Sequence, residues 1–220
     1  AIAAPAVLHY QLAKKALEAD KDVFVEKPLC LDVEEGQELV AIAKARNKVL
    51  MVGHLLQYHP CINEVQSLLS DGKLGKLQYI SSNRLNLGKI RKDENALWSF
   101  APHDLSVILS LVGNNLPEKV QCFGGAYLTP GVVDTTMMTM RFPEKIRAHV
   151  YVSLLNPFKE QKLTVIGTEG MLVFDDTKPW REKLTFYKDH LTWEEGQIPV
   201  PNKSIGEFLE IKEEEPLKLE

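Results

Sequence analysis

The stretch DVFVEKPLCLDVEEG, residues 22–36, joins a short apolar strand directly to a charged pair, a proline and the start of a helix. A strand that is apolar on both faces is typical of a parallel sheet covered by helices. Lys27 follows this strand at once, so its ammonium group must either reach solvent or meet a group that favours a positive charge. The sequence on either side of the stretch indicates which of these two environments Lys27 has.

The segment before this stretch, AVLHYQLAKKALEAD, predicts an amphipathic helix with Leu8, Leu12 and Ala16 at four-residue spacing. Pro5 suits the first turn of such a helix. The opening residues AIAAP resemble the end of a buried strand, and KVLMVGH, further along, is another apolar strand. Strands and helices that alternate at this spacing predict a doubly wound α/β domain.

The helix after Lys27 has a clear start signal. Asp32 followed three residues later by Glu35 resembles a capping box, in which the aspartate accepts hydrogen bonds from the first backbone N–H groups. The expected apolar stripe of this helix consists of Val33, Leu39, Val40 and Ala43.

The pattern changes after about Tyr58 to one helix, PCINEVQSLLSDGKLG, followed by many strands. In IRAHVYVSLL, apolar residues alternate with polar ones, which is typical of a sheet covered on one face only. A further helix is expected at HDLSVILSLVG. The fold class is therefore α/β plus α+β: the chain is predicted to have a doubly wound portion at residues 1–58 and a mainly antiparallel, open-faced sheet domain at residues 59–220.

The composition is that of an ordinary globular protein, with 45% hydrophobic and 25% charged residues. A net charge of −4 disfavours nucleic acid as a general partner. No apolar run approaches the roughly 18 residues that a membrane-spanning helix needs, and no signal peptide opens the chain, so no membrane partner is expected. The odd number and wide spacing of Cys30, Cys61 and Cys122 favour reduced thiols and a cytoplasmic location.

Two candidate catalytic residues follow from position and chemistry. Lys27 lies at the carboxyl end of a parallel strand, where open α/β sheets bind ligands, and Pro28 fixes the turn that carries it. A lysine there can hold a substrate hydroxyl and stabilise the charge that develops as its proton leaves. The alternative is a solvated lysine paired with Glu26. His103, at the expected helix start, could accept a proton, or it could be only an N-terminal cap; Asp104 would complement the helix dipole.

A run of basic residues without any acidic one could receive an anionic substrate, although such runs also protect edge strands. Within SNRLNLG, Arg84 and the neutral Asn86 are the best placed to be specific, because the nearby Gly88 allows close approach to the backbone. The histidines show no metal-binding spacing, and no GxSxG hydrolase motif occurs. The basic run comprises Lys73, Lys76, Arg84, Lys89, Arg91 and Lys92.

Taken together, AAPAVLHYQLAKKALEADKDVFVEKPL, VLMVGHLLQYHP, DGKLGKLQYI and WSFAPHDLSVIL resemble the Gfo/Idh/MocA family of NAD(P)-dependent sugar oxidoreductases along essentially the whole chain. The resemblance implies that the EKP lysine, Lys27, and the downstream His103 face the nicotinamide of NAD, with NADP also possible. It implies that Glu26 and Pro28 belong to the motif on the cofactor side.

The same resemblance extends to further cofactor and substrate contacts. The segment APAVLH, with Pro5 and His9, stands where the family has TPxxxH, and together with His54 it is expected to line the cofactor. Arg84 and Asn86 are similar to residues that meet a nucleotide-sugar. Many members place an aspartate four residues before the histidine, but here Ser99 stands there. The form WSFAPHD resembles the branch that oxidises the 3-hydroxyl of UDP-N-acetylglucosaminuronic acid.

The glycine-rich phosphate loop of the family is absent from this sequence. The sequence is therefore interpreted as a fragment that lacks the N-terminal part of its Rossmann domain. The resemblance implies that residues 1–58 are the C-terminal portion of this dinucleotide-binding domain and that residues 59–220 form the substrate-binding and oligomerisation domain. Two alternatives stay open: a dehydrogenase of a plain sugar or inositol, and a binding or assembly module without catalysis. The resemblance also implies a homodimer or homotetramer that forms through the open face of the sheet. In VDTTMMTMRF, Met138 and Met140 fall on one face and Met137 on the other.

Overall fold

A computed structural model describes residues 1–88, 94–188, 190–192, 198–202 and 205–211. The chain divides into two compact units, residues 1–55 and 56–220. Lys89, Arg91 and Lys92 of the predicted basic run lie outside the described residues. No helix in the described ranges is long and apolar enough to cross a bilayer.

The first unit has the alternating order that the sequence predicts. It consists of α1 (His9–Glu18), β1 (Val23–Val25), α2 (Val33–Ala45) and β2 (Leu50–Val52), with β1 and β2 paired in parallel. Ile2 extends this sheet by a parallel bridge to Val25, which confirms that the opening residues follow a strand path. Two backbone hydrogen bonds fix the bridge, from Ile2 N to the oxygen of Phe24 at 2.7 Å and from Glu26 N to the oxygen of Ile2 at 2.9 Å.

The buried stripe of α1 differs from the predicted one. His9, Ala13 and Leu17 face the core, while Leu8 and Leu12 are 43% and 39% exposed. Apolar residues cover a broad arc of this helix, so the spacing alone fits either of two neighbouring stripes.

The start of α2 matches the prediction. The Asp32 carboxylate accepts hydrogen bonds from the backbone N–H groups of Glu34 at 2.9 Å and Glu35 at 3.3 Å. Of the expected stripe only Leu39 and Ala43 are buried, because Val33 and Val40 are exposed.

The second unit is built on an open-faced, mainly antiparallel sheet. The helices are α3 (Pro60–Ser70) and α4 (Ala96–Leu111). The strands are β3 (Leu77–Leu85), β4 (Lys119–Gly125), β5 (Thr135–Arg141), β6 (Arg147–Ser153), β7 (Glu160–Gly167), β8 (Met171–Asp175), β9 (Leu184–Tyr187), β10 (His190–Thr192), β11 (Val200–Asn202) and β12 (Glu207–Phe208). Among the described residues, eight of them form the sheet in the order β12, β9, β8, β7, β3, β6, β5, β4, in which only the β3–β6 pair is parallel, while β10 and β11 form a separate hairpin.

The alternation predicted for the sheet is confirmed. In β5, Met140 is buried and Met138 packs against the core, whereas Met137 on the opposite face is 49% exposed. In β6 and just after it, the buried apolar residues are Ala148, Val150, Val152 and Leu154. Helices α3 and α4 supply the other side of this core with Ile62, Val65, Val107 and Ile108.

The prediction that the helix in HDLSVILSLVG starts at His103 is wrong. Helix α4 begins at Ala96, and the side chain of Asn95 caps it by accepting a hydrogen bond from Trp98 N at 3.0 Å. Pro102 lies inside the helix, where it cannot donate to the carbonyl oxygen of residue 98. The burial of Ala96 and Ala101 against the sheet stabilises the helix across this defect.

Candidate functional site

The turn after β1 places Lys27 at the carboxyl end of the parallel β1–β2 pair. The Lys27 backbone N–H lies 3.3 Å from Oε2 of Glu26, so the glutamate folds back over its own turn. The Lys27–Pro28 peptide bond is cis. Gly53, just beyond β2, makes room for this arrangement, because a Cβ there would come within 3.2 Å of the Glu26 carboxylate and 3.3 Å of the Phe24 ring.

His9 supports the same turn from α1. Its ring is 1% exposed and is held between two backbone carbonyl oxygens. Nδ1 lies 2.6 Å from the oxygen of Pro28, and Nε2 lies 2.7 Å from the oxygen of Ala4. Both nitrogens are therefore occupied by the main chain of the first unit. Any contribution of His9 to the predicted cofactor site acts through the turn that it holds.

His54 follows β2 and shares the environment of Lys27. Burial lowers the pKa of His54, and the positive charge of Lys27 lowers it further. Its Nδ1 atom is buried and has no hydrogen-bond partner among the described residues. A buried polar atom without a partner, beside a lysine at the carboxyl end of a parallel sheet, fits a polar ligand such as the nicotinamide end of a dinucleotide.

In the second unit, His103 lies in the middle of α4 rather than at its start. The alternative that His103 is only an N-terminal cap is therefore wrong, because Asn95 caps this helix. The backbone oxygen of His103 accepts a hydrogen bond from Oγ of Ser106 at 2.7 Å. This contact belongs to the helix and leaves the role of the ring as a prediction.

The residue after His103 has a different role from the one expected. Asp104 is 4% exposed and lies against β3, so it cannot act as a solvent-facing acid near a helix start. Its Oδ2 accepts from Nε of Arg84 at 2.7 Å, and its Oδ1 accepts from Nη2 of Arg84 at 3.2 Å. Oγ of Ser82 donates to Oδ1 at 2.7 Å. Asp104 and Arg84 thus form a buried, bidentate ion pair.

The predicted basic run does not form one patch in the described residues. Lys73 and Lys76 precede β3, whereas Arg84 is near its far end, about 25 Å from Lys76 along an extended strand. The alternative explanation, a protected edge strand, is also wrong, because β3 pairs with β6 on one side and β7 on the other. Asn86 continues β3 by donating its backbone N–H to the oxygen of Ser153 at 3.0 Å. Substrate contacts from Arg84 and Asn86 stay predictions.

The partners of Arg84 are the part of this region that sequence reasoning missed. Ser82, Asp104 and Gln161 are separated from Arg84 by two to seventy-seven positions, and no local motif connects them. Only the period-two burial of β3, which turns Ser82 and Arg84 to the covered face, could have indicated that the guanidinium needs a buried acid. Among the described residues, no three metal-binding side chains converge.

Comparison with known proteins identifies both units. Residues 1–54 match the model described as "Oxidoreductase family, NAD-binding Rossmann fold", and residues 62–173 match the GFO/IDH/MocA C-terminal domain. The UDP-N-acetylglucosamine 3-dehydrogenase of Acidithiobacillus ferrooxidans is 33% identical over 129 residues, which are 58% of this chain and 40% of that protein.

Two solved structures have the same fold. That of the same dehydrogenase superposes with a TM-score of 0.80 and 25% identity, over 97% of this chain and 64% of that one. An inositol dehydrogenase homolog from Azotobacter vinelandii, complexed with NADH and myo-inositol, gives a TM-score of 0.77 and 23% identity, over 91% of this chain and 54% of that one. The chain spans about half the length of the first curated relatives it matches.

Proposed function

The chain belongs to the Gfo/Idh/MocA oxidoreductase family, and from this we propose that the full-length protein is an NAD-dependent dehydrogenase of a sugar hydroxyl. NAD is the cofactor in the description of the matched Rossmann family. The residues of this chain that would hold its nicotinamide end are in the turn at Glu26, Lys27 and Pro28, with His54 beside them. A bound NAD would supply the acceptor for the hydride of the substrate carbon.

The chemistry left to the protein is the transfer of one proton. Lys27 binds the substrate hydroxyl and stabilises the negative charge that develops on its oxygen. His103 accepts the hydroxyl proton as general base, so the substrate alcohol becomes a ketone as its hydride leaves. The position of Lys27 at the carboxyl end of β1 is the observation on which this proposal depends, since open α/β sheets bind their ligands at that edge.

We propose that the substrate is a nucleotide-sugar, oxidised at C3 of a UDP-N-acetylhexosaminuronic acid or of the related UDP-N-acetylhexosamine. The relative with 33% identity is named for oxidation of UDP-N-acetylglucosamine at the same carbon, which supports this choice over a plain sugar or inositol. The form WSFAPHD, with Ser99 in place of an aspartate, favours the uronic acid. Retention of both Lys27 and His103 disfavours a binding or assembly module without catalysis.

The test uses the purified full-length protein with NAD and, in parallel, NADP. UDP-N-acetylglucosaminuronic acid, UDP-N-acetylglucosamine and myo-inositol are compared at equal concentrations, and reduced cofactor is followed by absorbance. We expect the highest kcat/KM with a UDP-sugar and NAD. A higher kcat/KM with myo-inositol would overturn the substrate assignment, and no reduction with any of the three would contradict the proposed dehydrogenase activity.

The location of the full-length protein is also a proposal. Cys30, Cys61 and Cys122 are free thiols, and burial raises the pKa of Cys61 to about 11. A thiol with so high a pKa is unreactive at neutral pH. The buried Cys61 therefore says nothing about location, but three free thiols without a disulfide between them support a reducing compartment such as the cytoplasm.

A further inference from the structure

The contacts of Asp104 continue through the covered side of the sheet. With the amide of Gln161 oriented to satisfy both of its neighbours, its oxygen accepts from Nη1 of Arg84 at 3.0 Å and its nitrogen donates to Oδ2 of Asp176 at 3.0 Å. Nζ of Lys183 donates to Oδ1 of Asp176 at 2.5 Å. We call this set the Asp104 network; its members are Ser82, Arg84, Asp104, Gln161, Asp176 and Lys183.

The part of the network around Asp104 is nearly inaccessible to water. The side chains of Arg84 and Asp104 are 13% and 5% exposed, and all three guanidinium nitrogens have protein partners. Burying an ion pair of this kind costs desolvation free energy that its Coulomb attraction does little more than offset. An apolar pair of similar size would stabilise the core as well, so stability alone does not explain why these charges are present.

The ion pair restrains the rotation of α4 about its own axis. Asp104 follows His103 directly, so fixing the Asp104 carboxylate to β3 fixes the rotation of the helix turn that carries the imidazole. A rotation of roughly 10° about the helix axis moves an atom roughly 6 Å from that axis by about 1 Å. A misplacement of that size at a reacting group can lower a rate by about a hundredfold.

The backbone of α4 is weakest at the same place. Pro102, immediately before His103, lacks the N–H group that would bond the carbonyl oxygen of Trp98. The turn that carries His103 therefore has one fewer hydrogen bond of its own, and a side-chain anchor from Asp104 to β3 compensates for this loss. Arg84 is best placed to supply the anchor because its fork binds both carboxylate oxygens.

We propose that Asp104 and Arg84 are positioning residues for His103: their buried bidentate ion pair holds α4 in the rotation at which the imidazole can accept the substrate proton. This inference rests on the proposed function, in which His103 is the general base. It assigns Arg84 a role that does not require contact with the substrate.

The test compares variants of the full-length protein that break different parts of the network. Arg84→Met and Asp104→Asn remove the bidentate pair, Arg84→Lys keeps a charge near Asp104, and Lys183→Met breaks only the distant contact to Asp176. We expect all four to lower the melting temperature. We expect Arg84→Met and Asp104→Asn to lower kcat by about ten- to a hundredfold with little change in KM for NAD, and Arg84→Lys to recover part of that loss.

The matched control is Lys183→Met, which should leave kcat within about twofold while losing a similar amount of thermal stability. A proportional loss of kcat in this control would show that the network contributes stability only, and would overturn the inference. If Arg84→Met does not fold, Ser82→Ala serves instead, because it removes a single hydrogen-bond donor from Asp104. This variant should also lower kcat, by a smaller factor than Arg84→Met.

A second measurement separates this inference from the proposed function. The imidazole resonances of His103 in nitrogen-edited NMR spectra report its surroundings whether or not the enzyme turns over. We expect them to shift in Arg84→Met and Asp104→Asn but not in Lys183→Met. If they shift while His103→Asn keeps full activity, the ion pair fixes the ring but the ring is not the base, and it is the proposed function that fails. If they stay unchanged in every variant, the positioning inference fails.

Discussion

Nδ1 of His9 lies 2.6 Å from the carbonyl oxygen of Pro28, one residue beyond Lys27. Nε2 of the same ring lies 2.7 Å from the carbonyl oxygen of Ala4. Carbonyl oxygens only accept hydrogen bonds, so at least one of these contacts is donated by the imidazole, and both are donated in its protonated form. The turn that carries Lys27 is thus fixed before the lysine by β1 and after it by His9.

A lysine that originates from so rigid a turn should act mainly in the transition state. Replacing Lys27 with methionine keeps most of the stem and removes the charge, and we expect the loss of about 3 kcal/mol of stabilisation, or roughly a hundredfold in kcat. KM should change less, because the developing alkoxide needs the charge more than the neutral hydroxyl does. Steady-state kinetics of the full-length protein with the UDP-sugar measure both constants.

The control for this substitution is Lys21→Met, which removes an exposed lysine just before β1. Its kinetic constants should stay close to those of the unmodified protein. A near-normal kcat in Lys27→Met would show that the lysine is only a solvated strand end, as in the alternative explanation of its sequence.

Replacing His103 with asparagine tests the assignment of the general base. The variant should turn over more slowly at neutral pH, and part of the loss should be relieved at high pH, where hydroxide can remove the proton. If Lys27 and His103 act on one proton transfer, as proposed, the double variant should be only modestly slower than the poorer single variant. A pH-independent defect, or additive losses in the double variant, would argue that His103 has another role.

Local signals in the sequence predicted much of this fold. The cap at Asp32 and the apolar strand before Lys27 each depend on residues within a few positions of one another, and the structure has both. The sequence misplaces the start of α4 because a proline is unfavourable inside a helix, whereas burial against the sheet extends the helix back past Pro102 to Ala96.

The pairing of Asp104 with Arg84 shows the other limit of sequence reasoning. The two residues are twenty positions apart, and they meet only because α4 packs on the covered face of β3. Neither charge pattern nor periodicity specifies such a long-range contact. Sequence therefore proposes candidate residues for the site, while tertiary packing determines which of them bind one another.

Histidine protonation should make the stability of the protein depend on pH. His59 caps α3 by accepting a hydrogen bond from Cys61 N at 3.1 Å through Nδ1, and its ring lies near Phe174 and Trp180. Burial lowers the pKa of His59, and this effect outweighs the nearby Asp176 carboxylate. The unfolded chain therefore binds the proton first as the pH falls, and the free energy of unfolding should decrease below about pH 6.5.

The variant His59→Asn isolates this contribution, because asparagine is also a good N-cap but does not titrate. Denaturant unfolding at pH 7.5 and at pH 5 should show a smaller decrease for the variant than for the unmodified protein. A residual slope is expected, since burial lowers the pKa values of His54 and His149 as well. Identical slopes for the two proteins would contradict the assignment.

Close packing between β7 and the loop before β3 makes Gly167 difficult to replace. A Cβ at this position would clash with the backbone oxygen of the buried Leu74, which cannot move aside as a flexible side chain could. We expect Gly167→Ala to lower the free energy of unfolding by about 2 kcal/mol or more. Gly88→Ala is the comparison, because its Cβ would make only ordinary contacts, the nearest at 3.4 Å to Leu154. Equal stability of the two variants in denaturant titrations would refute this prediction.

The open face of the sheet predicts self-association of the full-length protein. Phe123, Met137 and Tyr151 are direct cross-strand neighbours on β4, β5 and β6, and Phe123 is 73% exposed. A stable interface buries roughly 800 Å² on each partner, and a second copy of the same face would cover this apolar row.

We propose that the protein forms a dimer or tetramer through this face, as the resemblance to its family implied, and sedimentation at micromolar concentration should detect it. Met137→Lys should shift the protein towards monomer, because the interface would bury an unpaired charge. Leu116→Lys is the matched control, since Leu116 is equally apolar and 78% exposed but lies between α4 and β4, outside the sheet. The control should associate like the unmodified protein. A clean monomer of the unmodified protein, or equal weakening by both substitutions, would show that the open face is not the interface.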